Sequence, residues 1–182
     1  MCICRRHKTV TQAPYSFVMP LLTLVRHAKS TWDYPELTDF ERPLNERGRQ
    51  DAPRMALRAQ ALPKVTRILS SPATRALVTA RIFAEHLGID FDAIHIEPRL
   101  YDASRKTLLE VVAGISHNPA HVMLFGHNPG FSELAHTLGH CPFDELPTCA
   151  IAHFKLEPKA WKDIGPGTGT LVKYLFPKDG FG

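Results

Sequence analysis

Several things are scarce in this chain, and each scarcity excludes something. No apolar run approaches the roughly 18 residues a membrane-spanning helix needs. There are four cysteines in 182 residues, Cys2, Cys4, Cys141 and Cys149. None stands in the C-x-x-C spacing of a zinc or redox motif. They read as reduced thiols of a cytoplasmic protein rather than a disulfide framework. Internal repeats and low-complexity tracts are absent. The net charge is only +4, and no basic run is interleaved with aromatics, so nothing calls for nucleic acid. His136 and His140 stand four apart beside Cys141, but no carboxylate or second pair completes a zinc ligand set. No metal and no cofactor is expected.

What is present suits one globular domain: 44% of residues are hydrophobic and 22% charged, enough for a sizeable core. The first eighteen residues stand apart. They carry Arg5, Arg6, His7 and Lys8, no acidic residue and no periodicity. They read as a disordered extension, with a transit peptide as the alternative. The folded domain is expected over 19–182.

From Met19 onward, strand and helix signals alternate. Leu21 to Val25 is a short apolar run typical of a buried strand. Ala52, Met55, Ala56, Ala59 and Leu62 keep helical spacing. Arg67 to Ser70 reads as a strand. Ser71 and Pro72 then look like the cap and first position of a helix. That helix carries Ala73, Ala76, Leu77, Ala80, Phe83, Ala84 and Leu87 on one stripe, and Gly88 ends it. A strand is expected over Ala93 to Ile96. A helix should run through Leu108, Val111, Val112 and Ile115, and a strand over His121 to Phe125. A short helix after Asn128-Pro129 carries Phe131, Leu134, Ala135 and Leu138. Two β-rich runs, Ala150 to Leu156 and Thr170 to Phe176, read as antiparallel neighbours. The alternation predicts a three-layer α/β/α sandwich around a mainly parallel sheet.

The chemistry gathers where strands end. The first strand stops at Arg26-His27. The second feeds a helix with Arg75 in its first turn. A later one stops at Gly126-His127-Asn128. In a parallel sheet all three open on the carboxyl edge, where ligands of open α/β sheets bind. Arg26 and Arg75 are permanent cations whose planar forks suit phosphate oxygens. A cation in a first helical turn opposes the helix dipole, so a bound anion beside Arg75 is more attractive than solvent. Two nearby cations disfavour imidazolium, which keeps His27 neutral and nucleophilic. His127 is suited to donate to a phosphoryl oxygen. The longest connection between the expected elements is Ile89 to Thr107. With no longer insertion to roof it, the site should be shallow and open.

Four segments resemble one family. Arg26-His27-Ala28-Lys29-Ser30 resembles the Arg-His-Gly signature of the histidine phosphatase superfamily, the phosphoglycerate mutase-like fold. Arg42-Pro43-Leu44-Asn45-Glu46-Arg47-Gly48 is similar to its Pro-Leu-Thr-x-x-Gly segment. Leu69-Ser70-Ser71-Pro72-Ala73-Thr74-Arg75-Ala76 is similar to the segment carrying its second arginine. Gly126-His127-Asn128-Pro129-Gly130 is similar to the segment carrying its second histidine. Ala28 in place of the usual glycine resembles the small SixA-type phosphohistidine phosphatase branch. The resemblance implies that His27 is the phosphorylated nucleophile and that Arg26, Arg75 and His127 form the phosphate pocket.

Arg99-Leu100-Tyr101-Asp102 occupies the place where mutases of the family carry an acid. Asp102 is therefore either a proton donor or the cap of the helix starting near Ser104. A phosphohistidine substrate needs less acid, because its imidazole leaving group can already hold a proton. The expected partner is a phosphohistidine-containing protein. The alternatives are a phosphomonoesterase or mutase acting on a small phosphorylated metabolite, and a phosphoprotein-binding module without turnover.

Overall fold

The structure, a computed structural model, describes residues 19–158 and 160–178. The expected N-terminal extension lies outside them. Six strands form one sheet in the order β3-β2-β4-β1-β5-β6: β1 (Leu21–Arg26), β2 (Arg67–Ser70), β3 (Ile94–Ile96), β4 (His121–Gly126), β5 (Ile151–Leu156) and β6 (Gly169–Leu175). Strands β1 to β4 are parallel, and β5 and β6 run antiparallel on one side. The four helices are α1 (Glu46–Ala59), α2 (Thr74–Leu87), α3 (Arg105–Ala113) and α4 (Gly130–Leu138). Among the described residues no helix is long and apolar enough to cross a membrane.

Alternation along the strands divides the core into two layers. Leu22, Leu24, Val122, Leu124 and Phe154 face α3 and α4, with Leu108, Val112, Phe131 and Leu134. Val25, Ile68, Met123, Phe125 and Ile151 face the other way, onto Met55, Ala56, Ala80 and Phe83 of α1 and α2. The Phe83 and Phe125 rings meet edge to face at 5.2 Å. Truncating either would cost roughly 3–5 kcal/mol, because a close-packed layer cannot collapse around the void.

Register brings the chemistry to one edge. Arg26 pairs with Gly126 and Ser70 with Phe125, so β1, β2 and β4 end level with one another. Helix starts then supply the rest. Asn45 caps α1 by accepting from the Gly48 amide at 2.8 Å. A Cβ on Gly48 would sit 2.1 Å from the Lys29 carbonyl oxygen, so only glycine lets α1 start this close to the strand that carries Arg26-His27. Gly88 ends α2 at φ 66°, as its position at the end of the apolar stripe predicts.

Three sequence expectations need correcting. Helix α2 begins at Thr74 after Ala73, not at Pro72 after a Ser71 cap. The Ser71 hydroxyl is engaged with His127 and with the Ala73 amide instead. Ser104, not Asp102, caps α3, accepting from the Thr107 amide. The connection that roofs the site is the segment between β1 and α1, rather than Ile89 to Thr107 alone.

Candidate active site

A cavity of about 570 Å³ opens at the carboxyl edge of the sheet, lined by Arg26, His27, Asp39, Arg42, Arg75 and His127, with Tyr101 and Asp102 at its rim. The four residues read from separate strand ends do converge. The rings of His27 and His127 lie 5.0 Å apart, and Arg75 Nε stands 3.3 Å from His27 Nε2.

Fixed backbone holds His27. Its amide donates to the Gly126 carbonyl at 3.0 Å, and its Nδ1 lies 2.8 Å from the Ala28 carbonyl. A carbonyl only accepts, so Nδ1 carries the proton and Nε2 keeps its lone pair. Arg75, which only donates, faces that lone pair. Burial first, and the charges of Arg75 and Arg26 after it, push the His27 pKa down to about 3. The neighbouring His127 pushes the same way, and the bond to Ala28 opposes the shift without reversing it. His127 falls to about 4 for the same leading reason, burial. Both rings are neutral at physiological pH.

The next turn of α2 ties Arg75 to the nucleophile segment. Thr79 Oγ1 donates to the Arg75 carbonyl at 2.7 Å and accepts the Ala28 amide at 3.0 Å. The strand end carrying His27 and the helix start carrying Arg75 are thus one hydrogen-bonded unit. Arg26 donates from Nη1 to the Leu146 carbonyl at 2.7 Å, and Asn128 Nδ2 donates to the same oxygen at 3.1 Å. Arg26 Nε and His127 Nδ1 are buried donors or acceptors without a protein partner. Buried polar groups are seldom left this way, and both belong to the residues that line this cavity.

Ser71 orders the second histidine. Its hydroxyl accepts the Ala73 amide at 3.3 Å and lies 2.8 Å from His127 Nε2.

Sequence reasoning missed Asp39, in a short 3₁₀ turn, Asp39–Glu41, between β1 and α1. Its carboxylate contacts Arg42 Nη1 at 2.6 Å, Arg75 Nη2 at 2.9 Å and the Tyr101 hydroxyl at 2.9 Å. Its backbone carbonyl accepts from Arg75 Nη1. Burial pushes the Asp39 carboxyl up, but the bonds from Arg42, Tyr101 and Arg75 outweigh that and hold it at about 2. No periodicity marks a loop residue of this kind. The signal was Arg42, already inside a quoted motif and three residues away. Arg42 also donates to Ser30 Oγ at 2.6 Å and to the Thr31 carbonyl at 2.9 Å, with its guanidinium 3.4 Å from the centroid of the exposed Trp32 ring.

Asp102 lines the cavity from an exposed turn, in the left-handed region at φ 46°. It is near the site but has no hydrogen bond fixing it there. A larger groove, about 800 Å³, lies beside α3 and α4 and mixes Arg105 and Lys106 with Glu133, Asp144 and Glu145. It lacks the converging cations and paired histidines. Among the described residues no cluster of His, Cys, Asp and Glu is arranged to hold a metal ion.

The arrangement places a neutral nucleophilic nitrogen among three guanidinium groups. Such a site binds a phosphoryl group and can accept it on nitrogen.

The sequence profile of the histidine phosphatase superfamily (branch 1) matches residues 22–108. An uncharacterised protein of Mycobacterium tuberculosis is 35% identical over 167 residues, spanning 85% of this chain and all of the relative. A solved structure from Agrobacterium tumefaciens, provisionally described as the phosphohistidine phosphatase SixA, is 30% identical. It aligns over 87% of this chain and 98% of its own, with a TM-score of 0.69. A protein histidine phosphatase SixA complexed with tungstate shares the fold at a TM-score of 0.73 and 23% identity, over 86% of this chain and 97% of its own.

Proposed function

The chain belongs to the histidine phosphatase superfamily and is a phosphatase, and we propose that its substrate is phosphohistidine on a partner protein, dephosphorylated through a covalent intermediate on His27. In the first step His27 Nε2 attacks phosphorus. The bond from phosphorus to the substrate imidazole breaks, and its electron pair goes to the leaving nitrogen. Arg26 and Arg75 balance the phosphoryl charge, and His127 contributes a hydrogen bond to it. In the second step water attacks phosphorus. The bond to Nε2 breaks, its electron pair returns to the ring, and inorganic phosphate leaves.

The observation that carries this reading is the state of the acid. Asp39, the carboxylate bonded to the guanidinium groups of the cavity, is ionised and held by Arg42, Arg75 and Tyr101. It has no proton to give an alkoxide. Asp102 stands exposed on a turn with no partner fixing its aim. A leaving imidazole that arrives protonated requires neither, whereas an alkoxide does. The name carried by the Agrobacterium relative supports the same substrate. The buried free thiols of Cys141 and Cys149 suit a reducing, cytoplasmic setting, which is part of this proposal.

The test is one panel: a phosphohistidine-bearing protein beside sugar and nucleotide phosphates. The proposal expects kcat/KM to favour the phosphoprotein by at least about a hundredfold, the low end of what acid catalysis contributes elsewhere. A preference for any small phosphoester would transfer the assignment to a metabolite phosphatase. Binding of the phosphoprotein with neither acid-labile labelling of His27 nor turnover would make the chain a binding module.

A further inference from the structure

Asp39 is placed where a phosphoryl group would have to be. Arg75 commits both terminal nitrogens to it, Nη2 to the carboxylate and Nη1 to the backbone carbonyl. Each terminal nitrogen keeps one further N–H, and Nε faces His27. Arg42, the third guanidinium of the cavity, is likewise bonded to the Asp39 carboxylate. An incoming phosphoryl group therefore meets arginines that already hold an anion. Bidentate binding through the two terminal nitrogens, the side of the fork that Asp39 holds, requires that anion to leave.

The segment carrying Asp39 is built so that it can leave. It lies in the connection between β1 and α1, whose base is tied by the Ser30–Leu44 bridge and by Arg42 to Ser30 and Thr31, while the 3₁₀ turn that carries Asp39 has no buried residue. The Asp39 side chain is 41% exposed, while that of Arg75 is 7% exposed and anchored through Thr79. The fixed partner is the cation and the movable one is the carboxylate. Trp32 and Phe40 on the same connection are exposed at 71% and 39%, so little apolar burial opposes its displacement.

We infer that Asp39 is a built-in competitor for the phosphate site: its carboxylate yields Arg75 and Arg42 to the phosphoryl group and reclaims them to expel inorganic phosphate. This rests on the reading of the cavity as a phosphoryl site and adds to it a residue that controls product release. Three guanidinium groups around one small dianion would otherwise retain the product. A carboxylate tethered at the rim competes at a high effective concentration, without a change in the nucleophile.

The alternative role for such a carboxylate is to hold Arg75 in place for the substrate. The two roles predict opposite signs. Inorganic phosphate, as a product inhibitor, is the probe. With the competitor removed in Asp39→Asn, the inhibition constant for phosphate falls, by roughly three- to tenfold for a part-exposed charged pair. Tyr101→Phe removes one of the donors that hold the carboxylate on the arginines, and lowers the constant by a smaller factor. It serves if the Asn variant does not fold. A constant that is unchanged or raised in both variants overturns the inference and makes Asp39 a positioning residue. Displacement itself is read from Trp32, whose ring is stacked on Arg42. Saturating phosphate changes the tryptophan emission of the unaltered protein, and the change is lost in Trp32→Phe. An emission unmoved by phosphate means the carboxylate stays in place, and also overturns the inference. If phosphate neither inhibits nor binds the unaltered protein, the phosphoryl-site reading falls, and the inference falls with it.

Discussion

Arg75 Nε lies 3.3 Å from His27 Nε2, so a group that can only donate faces a ring nitrogen that can therefore only accept. The proton of the ring is on the other side, on Nδ1, and is donated to the Ala28 carbonyl. Tautomer, charge and aim of the nucleophile are thus set by two contacts that need no substrate. His27→Ala should abolish acid-labile labelling by a phosphodonor and reduce turnover by a thousandfold or more, on the order of other nucleophile deletions. Circular dichroism should show the fold intact. Near-normal activity in that variant would remove the covalent mechanism.

Arg75→Ala should lose on the order of 3 kcal/mol of transition-state stabilisation, or about a hundredfold in kcat/KM. Arg75→Lys should recover little. A single ammonium cannot face His27 and hold a phosphoryl group through parallel donors at once. Full activity in the lysine variant would show that a point charge is sufficient.

Asp102 separates the two substrate classes. Because Ser104 caps α3, a loss in Asp102→Asn is not a capping effect. On a phosphohistidine protein the variant should be nearly unchanged. On alkyl phosphates, any proton that Asp102 gives the leaving oxygen is worth roughly 10²–10⁴-fold. Large equal losses on both substrates would make Asp102 a general acid for all and weaken the phosphohistidine reading. No loss on either would leave it a turn residue.

Stability should fall in mild acid before chemistry does. Burial lowers His27 to about 3, and His127 and His153 to about 4. In the unfolded chain each takes a proton near pH 6.5. Below that pH the unfolded state binds protons the native state refuses. Stability is therefore complete above about pH 6.5 and lost as pH falls toward 4, by about 1.4 kcal/mol per pH unit for each such histidine. Urea unfolding, followed by the buried Trp161, should show that slope. His153→Asn, which can still donate to Thr23 Oγ1, the atom His153 Nδ1 meets at 2.7 Å, should reduce it by about one proton. A midpoint independent of pH between 7 and 5 would mean these rings are not buried neutral.

Much of this was legible in the chain. Among the described residues, periodicity placed the six strands and four α-helices, although α1 starts at Glu46, six residues before the first spaced position, and the short 3₁₀ turns carried no period to read. Apolar spacing is a direct consequence of burial, so the elements packed most tightly, such as β2 and the stripe of α2, were read most accurately. His27, Arg26, Arg75 and His127 were legible because each follows a strand or opens a helix, and a parallel sheet aligns those ends. Ser71 was misread because an Ser-Pro pair is a good local helix start. Its hydroxyl instead serves His127, a residue 56 positions away in the chain.

The sequence by itself determined the α/β class, the edge at which the chemistry gathers, and the residue types gathered there. These are local matters: hydrophobic period, helix starts, and side chains that cannot be anything but cations or nucleophiles. Only the tertiary structure decided the rest. Register set the two histidine rings 5.0 Å apart. The fully buried strands show no polar face, so their two core layers emerge only once α1 with α2, and α3 with α4, cover opposite sides of the sheet. Asp39 has no periodicity, and its one signal in the chain, Arg42 three residues on, does not reveal its purpose. It acquires one when the connection after β1 folds over Arg75, 36 residues further on, because a guanidinium in a low-dielectric cavity draws in whatever carboxylate the fold brings within reach.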